Sequence, residues 1–219
     1  LILIFNGPPG SGKDAAADFF IRKGFVHVSF KEELFNETIK FFDVDPEWFM
    51  TGYVDRSIKE RSEGLLEGMS RREAMIFVSE EVIKPLHGKD YFGVIASSRI
   101  EDDKDYCFSD GGFVEELLPV INNPSANQVI LIQLTRNGCD FSSDSRRYFD
   151  GHLVEQIILE KETLVSNIHV LPHRFPVRMY RVHNNGTLQQ FEDALQTIYE
   201  KERHDKEKES QSLIPGKSI

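Results

Sequence analysis

One short segment constrains this chain more than any other: Gly7-Pro-Pro-Gly10-Ser11-Gly12-Lys13-Asp14, because of what stands on either side of it. Before it, Leu1–Phe5 is an unbroken apolar run, the pattern of a strand buried on both faces. After it, Gly12 to Lys23 has the spacing of a helix. A glycine turn between a buried strand and a helix start turns successive backbone N–H groups toward one anion, and the helix N-terminus adds partial positive charge. In that context Lys13 is expected to reach the β- and γ-phosphates of a nucleoside triphosphate. The competing reading is a plain turn that opens a helix. Pro-Pro-Gly alone fits it, but it leaves the glycines at both motif positions and the following lysine unexplained.

Two carboxylates extend the expectation. Asp14 stands where such loops usually carry Ser or Thr, whose hydroxyl ligates Mg²⁺. Asp14 would bind the metal directly or through water, serve as a base for an acceptor hydroxyl, or simply stabilise the helix start. Asp110 follows the strand candidate Tyr106–Ser109, and ligands of open α/β sheets lie beyond the carboxyl ends of the strands. It is expected either at a magnesium or acceptor pocket or as a cap on the next helix.

The rest of the chain alternates strands and helices, which predicts an α/β domain with a mainly parallel sheet. Phe25–Phe30, Val129–Leu134, Ile168–Leu171 and Val177–His183 read as further strands. Lys31–Phe42 reads as a helix, Pro46–Glu67 as one or two short helices joined by loop. Ser70 to Ile83 is predicted as a helix with Ser70 and Glu73 forming a capping box, ended by Pro85. Asp90–Ile100, Phe113–Asn122 and His152–Leu164 are helix candidates. Arg136–Gly151 is polar with no evident buried face. Thr187 is expected to cap a last helix carrying Leu188, Phe191, Leu195 and Ile198 on its apolar side. Lys201–Glu209 has no apolar stripe, so the chain from 201 to 219 is expected to be a disordered tail.

Composition bounds the function. With 26 basic and 36 acidic residues among 219, the net charge of −10 excludes a generally basic nucleic-acid coat, while leaving room for a local basic groove. The two cysteines are too few for a disulfide framework. The seven histidines are scattered without metal-ligand spacing. No apolar run reaches the ~18 residues of a membrane span. No secretion signal is visible, so the expected compartment is the cytoplasm.

Ser11-Gly12-Lys13-Asp14, continuing through Ala17-Asp18, resembles the phosphate loop of bacteriophage deoxynucleoside monophosphate kinases, in which Asp also replaces Ser or Thr. Shorter matches follow in the same order across residues 1–200. Ser29-Phe30-Lys31 is similar to the family's second segment, with Lys31 at its basic position. Ser70-Arg71-Arg72-Glu73 falls at its paired arginines, and Ser109-Asp110 at its Asp-containing strand end. The chain departs from the family in reading Gly111-Gly112-Phe113 where an arginine is usual. Leu134-Thr135-Arg136 resembles the strand that opens the lid, with Arg146 and Arg147 as lid arginines. Asn184-Asn185-Gly186-Thr187-Leu188 looks like the turn that approaches adenine.

The resemblance implies a three-layer P-loop kinase domain over residues 1–200. It would have a helical acceptor-binding segment at about 31–90 and a lid at about 136–151. It further implies ATP and Mg²⁺ as cofactors and a deoxynucleoside monophosphate as substrate. Under it, Gly7, Gly10, Ser11, Gly12, Lys13, Asp14, Arg136, Asn185 and Gly186 bind the nucleotide. Lys31, Arg71 and Arg72 bind the acceptor. Asp14 and Asp110 organise the metal, and Lys13, Asp14, Asp110, Arg146 and Arg147 serve catalysis. A phage-encoded enzyme would work in the host cytoplasm; a homodimer stays open. Related phage kinases phosphorylate 5-hydroxymethyl-deoxyuridine within DNA, where a hydroxyl acceptor benefits from a base. A nucleotide-binding regulatory module without transfer and a small-metabolite kinase are the remaining alternatives.

Overall fold

The computed structural model describes residues 1–142, 146–149 and 177–212. Among these, five strands form one sheet in the order β2-β3-β1-β4-β5, with every pairing parallel. The strands are β1 (Ile2–Asn6), β2 (Val26–Val28), β3 (Tyr106–Gly111), β4 (Val129–Thr135) and β5 (Arg178–His183). The apolar run that opens the chain is the central strand, and all five of its residues are buried.

Its side chains alternate between two cores. Leu3 and Phe5 pack with Ala16 and Phe20 of α1 (Lys13–Ile21) and with Phe191 and Leu195 of the last helix. Ile2 and Ile4 pack on the other side with Ala96 of α7 (Tyr91–Ser98) and with Leu117 and Val120 of α8 (Val114–Ile121). Helices therefore cover both faces of the sheet, as parallel strands require. The helices α7 and α8 touch backbone to backbone, because a Cβ at Gly93 would overlap the carbonyl oxygen of Glu116. Gly93→Ala is expected to push α8 outward and to cost about 1–3 kcal/mol, measurable by urea unfolding.

The segment between β2 and β3 builds a small core of its own. There α2 (Lys31–Phe42) and α3 (Pro46–Val54) close with α4 (Arg56–Lys59), a short 3₁₀ turn and α5 (Arg71–Phe77) around Phe49, Leu66, Ala74 and Met75. The Ser70–Glu73 capping box forms as expected. Pro85, however, does not end that helix. The chain widens into a π turn over Val78–Ile83, continues through α6 (Lys84–His87), and stops at Gly88, whose φ is 100°. The wider turn shifts the carbonyls that a proline ring would otherwise meet in an α-helix, so Pro85 is accommodated.

Three further expectations are corrected. The stretch after β4 does have a buried residue: Phe149 is inside, tied by Gln133 Nε2 donating to its carbonyl (2.5 Å) and by its own N–H donating to Asn6 Oδ1 (2.8 Å). One aromatic held by backbone hydrogen bonds leaves no periodic trace. The last helix, α9 (Leu188–Ser212), runs past Lys201 instead of fraying there. Glu202 is fully buried, accepting hydrogen bonds from Arg178 (3.0 Å), Tyr180 and Gln128. A charged residue with three donors docks as firmly as an apolar one. Within α9, Phe191, Leu195 and Ile198 are buried but Leu188, in the first turn, is exposed. The helix expected at His152–Leu164 and the strand expected at Ile168–Leu171 lie outside the described residues. Among the described residues no helix is long and apolar enough to cross a membrane.

Candidate functional site

The glycine-rich loop leaves β1 at the carboxyl edge of the sheet and enters α1. Gly10 and Gly12 have φ of 78° and 107°, values that side-chain-bearing residues rarely adopt. Gly12 has a second reason to lack a Cβ, which would overlap Asn184 Nδ2. That amide donates to the Ser11 carbonyl (3.0 Å), while the Asn184 N–H donates to the Thr135 carbonyl (2.8 Å). The ends of β4 and β5 thus brace the loop. Gly7 is equally constrained, for a Cβ there would meet the Leu134 carbonyl and Ser11 Oγ. Lys13 is buried, and its ammonium donates to the carbonyls of Gly7 (2.6 Å) and Pro8 (2.8 Å). It is a cation held at the centre of a curled backbone.

The loop forms one wall of a cavity of about 940 Å³, which suits a ligand pair rather than a single small anion. Gly10, Lys13 and Asp14 line it, as do Lys31, Arg72, Asp110 and Arg146. Asp14 is exposed at the cavity side of the first turn of α1. Arg146 lies across Gly112, where a Cβ would strike its side chain. The missing side chain of Gly112 leaves the space that Arg146 occupies.

Asp110 lines the cavity, one of its two expected places, and is tied to a neighbouring element as well. Its oxygens accept from Ser29 Oγ (2.7 Å), Phe30 N–H (3.2 Å) and Lys31 N–H (3.0 Å). It therefore caps the start of α2, across the sheet, rather than the helix that follows it. These bonds make it a positioning group for Lys31 at the cavity wall.

Arg71 does not join the cavity. It is buried, with Nε donating to the Phe49 carbonyl (3.2 Å), Nη2 to the Trp48 carbonyl (3.3 Å) and Nη1 paired with Glu63 (3.1 Å). Its guanidinium lies 3.9 Å from the centre of the Trp48 ring, and Gly52 provides the space for it. Adjacent helical residues diverge by about 100°, so of a neighbouring pair only one faces the cavity. That one is Arg72, half-buried and 3.8 Å from Glu60.

The remaining predicted residues stay at the rim. Arg136 donates to the Gly10 carbonyl (3.4 Å). Asn185 Oδ1 accepts from the Asn137 N–H (2.7 Å), and Gly186 leaves room for Gln190, which reciprocates with Thr187 at the start of α9. Arg147 is exposed, and its carbonyl accepts from Asn6 Nδ2 (2.9 Å).

Several residues of the site escaped sequence reasoning. Lys59 and Tyr53 line the cavity together, the ammonium 3.9 Å from the ring centre, but they come from a weakly periodic stretch that gave no signal. Asn6, the last residue of β1, pairs in register with Gln133 of β4, and the two hold the 146–149 segment to the sheet. Their signal was legible: Asn6 closes the first apolar run, and Gln133 interrupts the run of β4. Glu116 also lines the cavity and is only 6% exposed. Burial pushes its carboxyl up to about 8; Lys84 opposes the rise, and Asp110, Glu80 and Glu115 add to it. Of the cysteines, Cys107 is buried and its thiol is pushed up to about 12 by that burial, so it is unreactive. Among the described residues no three His, Cys, Asp or Glu side chains gather to hold a metal ion. A magnesium ion carried on nucleotide phosphates requires only one or two carboxylates.

No family model matches this chain, and no curated protein matches it. Among solved structures, one match is the crystal structure of "a putative kinase from chloroflexus aurantiacus j-10-fl". It is 10% identical, the match covers 90% of this chain and 96% of that one, and the TM-score is 0.38. A likeness so distant carries no functional weight, which rests on the site itself.

Proposed function

We propose that the chain is an ATP-dependent phosphotransferase that uses Mg²⁺ and acts on a nucleotide, with a deoxynucleoside monophosphate as the acceptor. One observation carries this reading. The curled loop around Lys13 opens into the same cavity that Lys31 and Arg72 line from the helical segment. A donor phosphate chain and an acceptor phosphate can therefore be held in one enclosure. The loop fits a polyphosphate: its glycines curl the backbone through left-handed conformations around a lysine that is already desolvated. Asp14 fits a magnesium ion carried on those phosphates, directly or through water. When bound, that ion would offset charge on the transferred group.

The residues then have distinct tasks. Lys13 leaves the carbonyls of Gly7 and Pro8 to follow the charge of the transferred group. Arg72 and Lys31 orient the acceptor phosphate, an oxygen of which forms the new bond to the γ-phosphorus. The bond from that phosphorus to its bridging oxygen breaks, releasing ADP and a nucleoside diphosphate. The acceptor is already ionised, so no base is required. Arg146 offers planar, bidentate donors to the equatorial oxygens.

Incubation with γ-labelled ATP, Mg²⁺, a panel of nucleoside monophosphates, ordinary DNA and hydroxymethyluracil DNA tests the reading. Label is expected on a deoxynucleoside monophosphate, with activity falling only mildly as salt rises. Label confined to hydroxymethyluracil DNA, with activity falling steeply in salt, would assign the DNA-modifying reaction instead. ATP binding with no labelled acceptor would assign a regulatory module.

A further inference from the structure

We infer that Glu116 reads the base of the acceptor, its carboxyl reaching from the cavity wall to hydrogen-bond the edge of a nucleobase. This deepens the nucleotide-acceptor reading and rests on it.

Glu116 is 6% exposed, lines the cavity and makes no hydrogen bond among the described residues. A largely buried carboxyl in a cavity wall is placed to take a ligand as its partner. The close approach of Gly93 to its backbone fixes where the side chain starts. The charged groups that act on it are Lys84 and Glu80 from the π-turn helix, Asp110 from β3 and Glu115 beside it on α8. Lys84 is itself bound to Glu80 (2.6 Å), and Asp110 is occupied at the start of α2. With carboxyl up to about 8, Glu116 is neutral in neutral solution.

The class of ligand follows from that chemistry. Phosphates belong with Lys13, Lys31 and Arg72, the cations that the loop and the helical segment bring to the cavity. The uncharged end of the acceptor belongs with Glu116, and Phe30, Phe92 and Phe113 line the same cavity as apolar surface for a ring. A neutral carboxyl presents a donor beside an acceptor. Every ordinary nucleobase has an edge with an acceptor beside a donor, so this device accepts several bases. An ionised carboxylate would instead demand two adjacent donors.

The test compares wild type with Glu116→Met and Glu116→Gln on deoxynucleoside monophosphates and on deoxyribose 5-phosphate, which lacks a base. Glu116→Met is expected to raise the nucleotide KM about 10- to 100-fold, with kcat and the KM for ATP nearly unchanged. The same variant should bind deoxyribose 5-phosphate as wild type does. It should also melt no lower than wild type without ligand, since it removes an unpartnered polar group. Glu116→Gln keeps a donor beside an acceptor and should restore the nucleotide KM. The wild-type KM should climb above a pH of about 8, and that of Glu116→Gln should stay flat.

An unchanged nucleotide KM in Glu116→Met overturns the inference. So does a Glu116→Gln variant that loses kcat at every pH while keeping KM, because Glu116 would then be a base. If no acceptor is ever phosphorylated, the kinase reading fails separately. Calorimetric titration with deoxynucleoside monophosphates then decides Glu116 alone: binding lost in Glu116→Met supports the inference, and binding kept overturns it.

Discussion

Lys13→Ala is expected to lower kcat for phosphoryl transfer by about 10²- to 10³-fold or more, the scale of losing one preorganised charge donor. The ammonium is buried inside the loop and bonded to the Gly7 and Pro8 carbonyls, so no other described cation can take its place without rebuilding the turn. The fold should survive. The loop is braced from outside by Asn184 and by the end of β4, contacts that Lys13 does not make. The loss of two hydrogen bonds from an ammonium should cost roughly 1–3 kcal/mol, read from the unfolding midpoint. Lys13→Arg keeps the charge, but its planar fork does not fit where a compact ammonium sits between two carbonyls, and it should fail as well. Steady-state rates beside unfolding curves check both variants. Full activity in Lys13→Ala would remove the basis for a phosphate-binding loop.

Arg71→Ala is expected to be among the most destabilising substitutions in the chain. Three hydrogen-bonding directions and the face of Trp48 are lost together, and Glu63 is left without its buried partner. Breaking a buried ion pair from one side typically costs about 3–5 kcal/mol. At about 2–4 °C per kcal/mol for a chain of this size, the melting temperature should fall by roughly 10 °C. Lysine cannot replace it, since a point charge does not reach two carbonyls and a carboxylate in one plane. Arg72→Ala should do the reverse. Its 3.8 Å contact with a mostly exposed Glu60 contributes little to stability, but the acceptor KM should rise. Thermal melts and acceptor kinetics of the two variants form a crossed test. If Arg71→Ala melts like wild type and only the acceptor KM moves, the paired-arginine assignment stands and the interior role falls.

The contrast between these neighbours shows how far the residues alone could be read. The capping box at Ser70 and Glu73 located the helix start that carries both arginines. It could not say which would turn inward, because that depends on Gly52 leaving space beneath α3. Asp110 is similar. Its place at the end of β3 was legible, but its partners come from Ser29–Lys31, 79 to 81 residues away, and only the pairing of β2 with β3 brings them to it. Glu202 and Phe149 escaped notice for a related reason. Each lies in a polar stretch without apolar periodicity and is buried by partners distant in sequence. Glu116 stood in plain view on α8, but nothing local distinguishes it from Glu115.

By itself, the sequence determined the central strand, the glycine turn with its lysine, the capped helix starts and the alternation that makes an α/β sheet. These follow from short-range physics: backbone sterics at glycine, the period of apolar residues, and the orphan amides of a helix N-terminus. Only the tertiary structure decided which charged side chains share the cavity, which are buried as structural ties, and which carboxyl is left without a partner. Long polar side chains can turn toward solvent, ligand or core at similar local cost. The choice is made by whatever the fold places across from them, and a linear pattern does not record that.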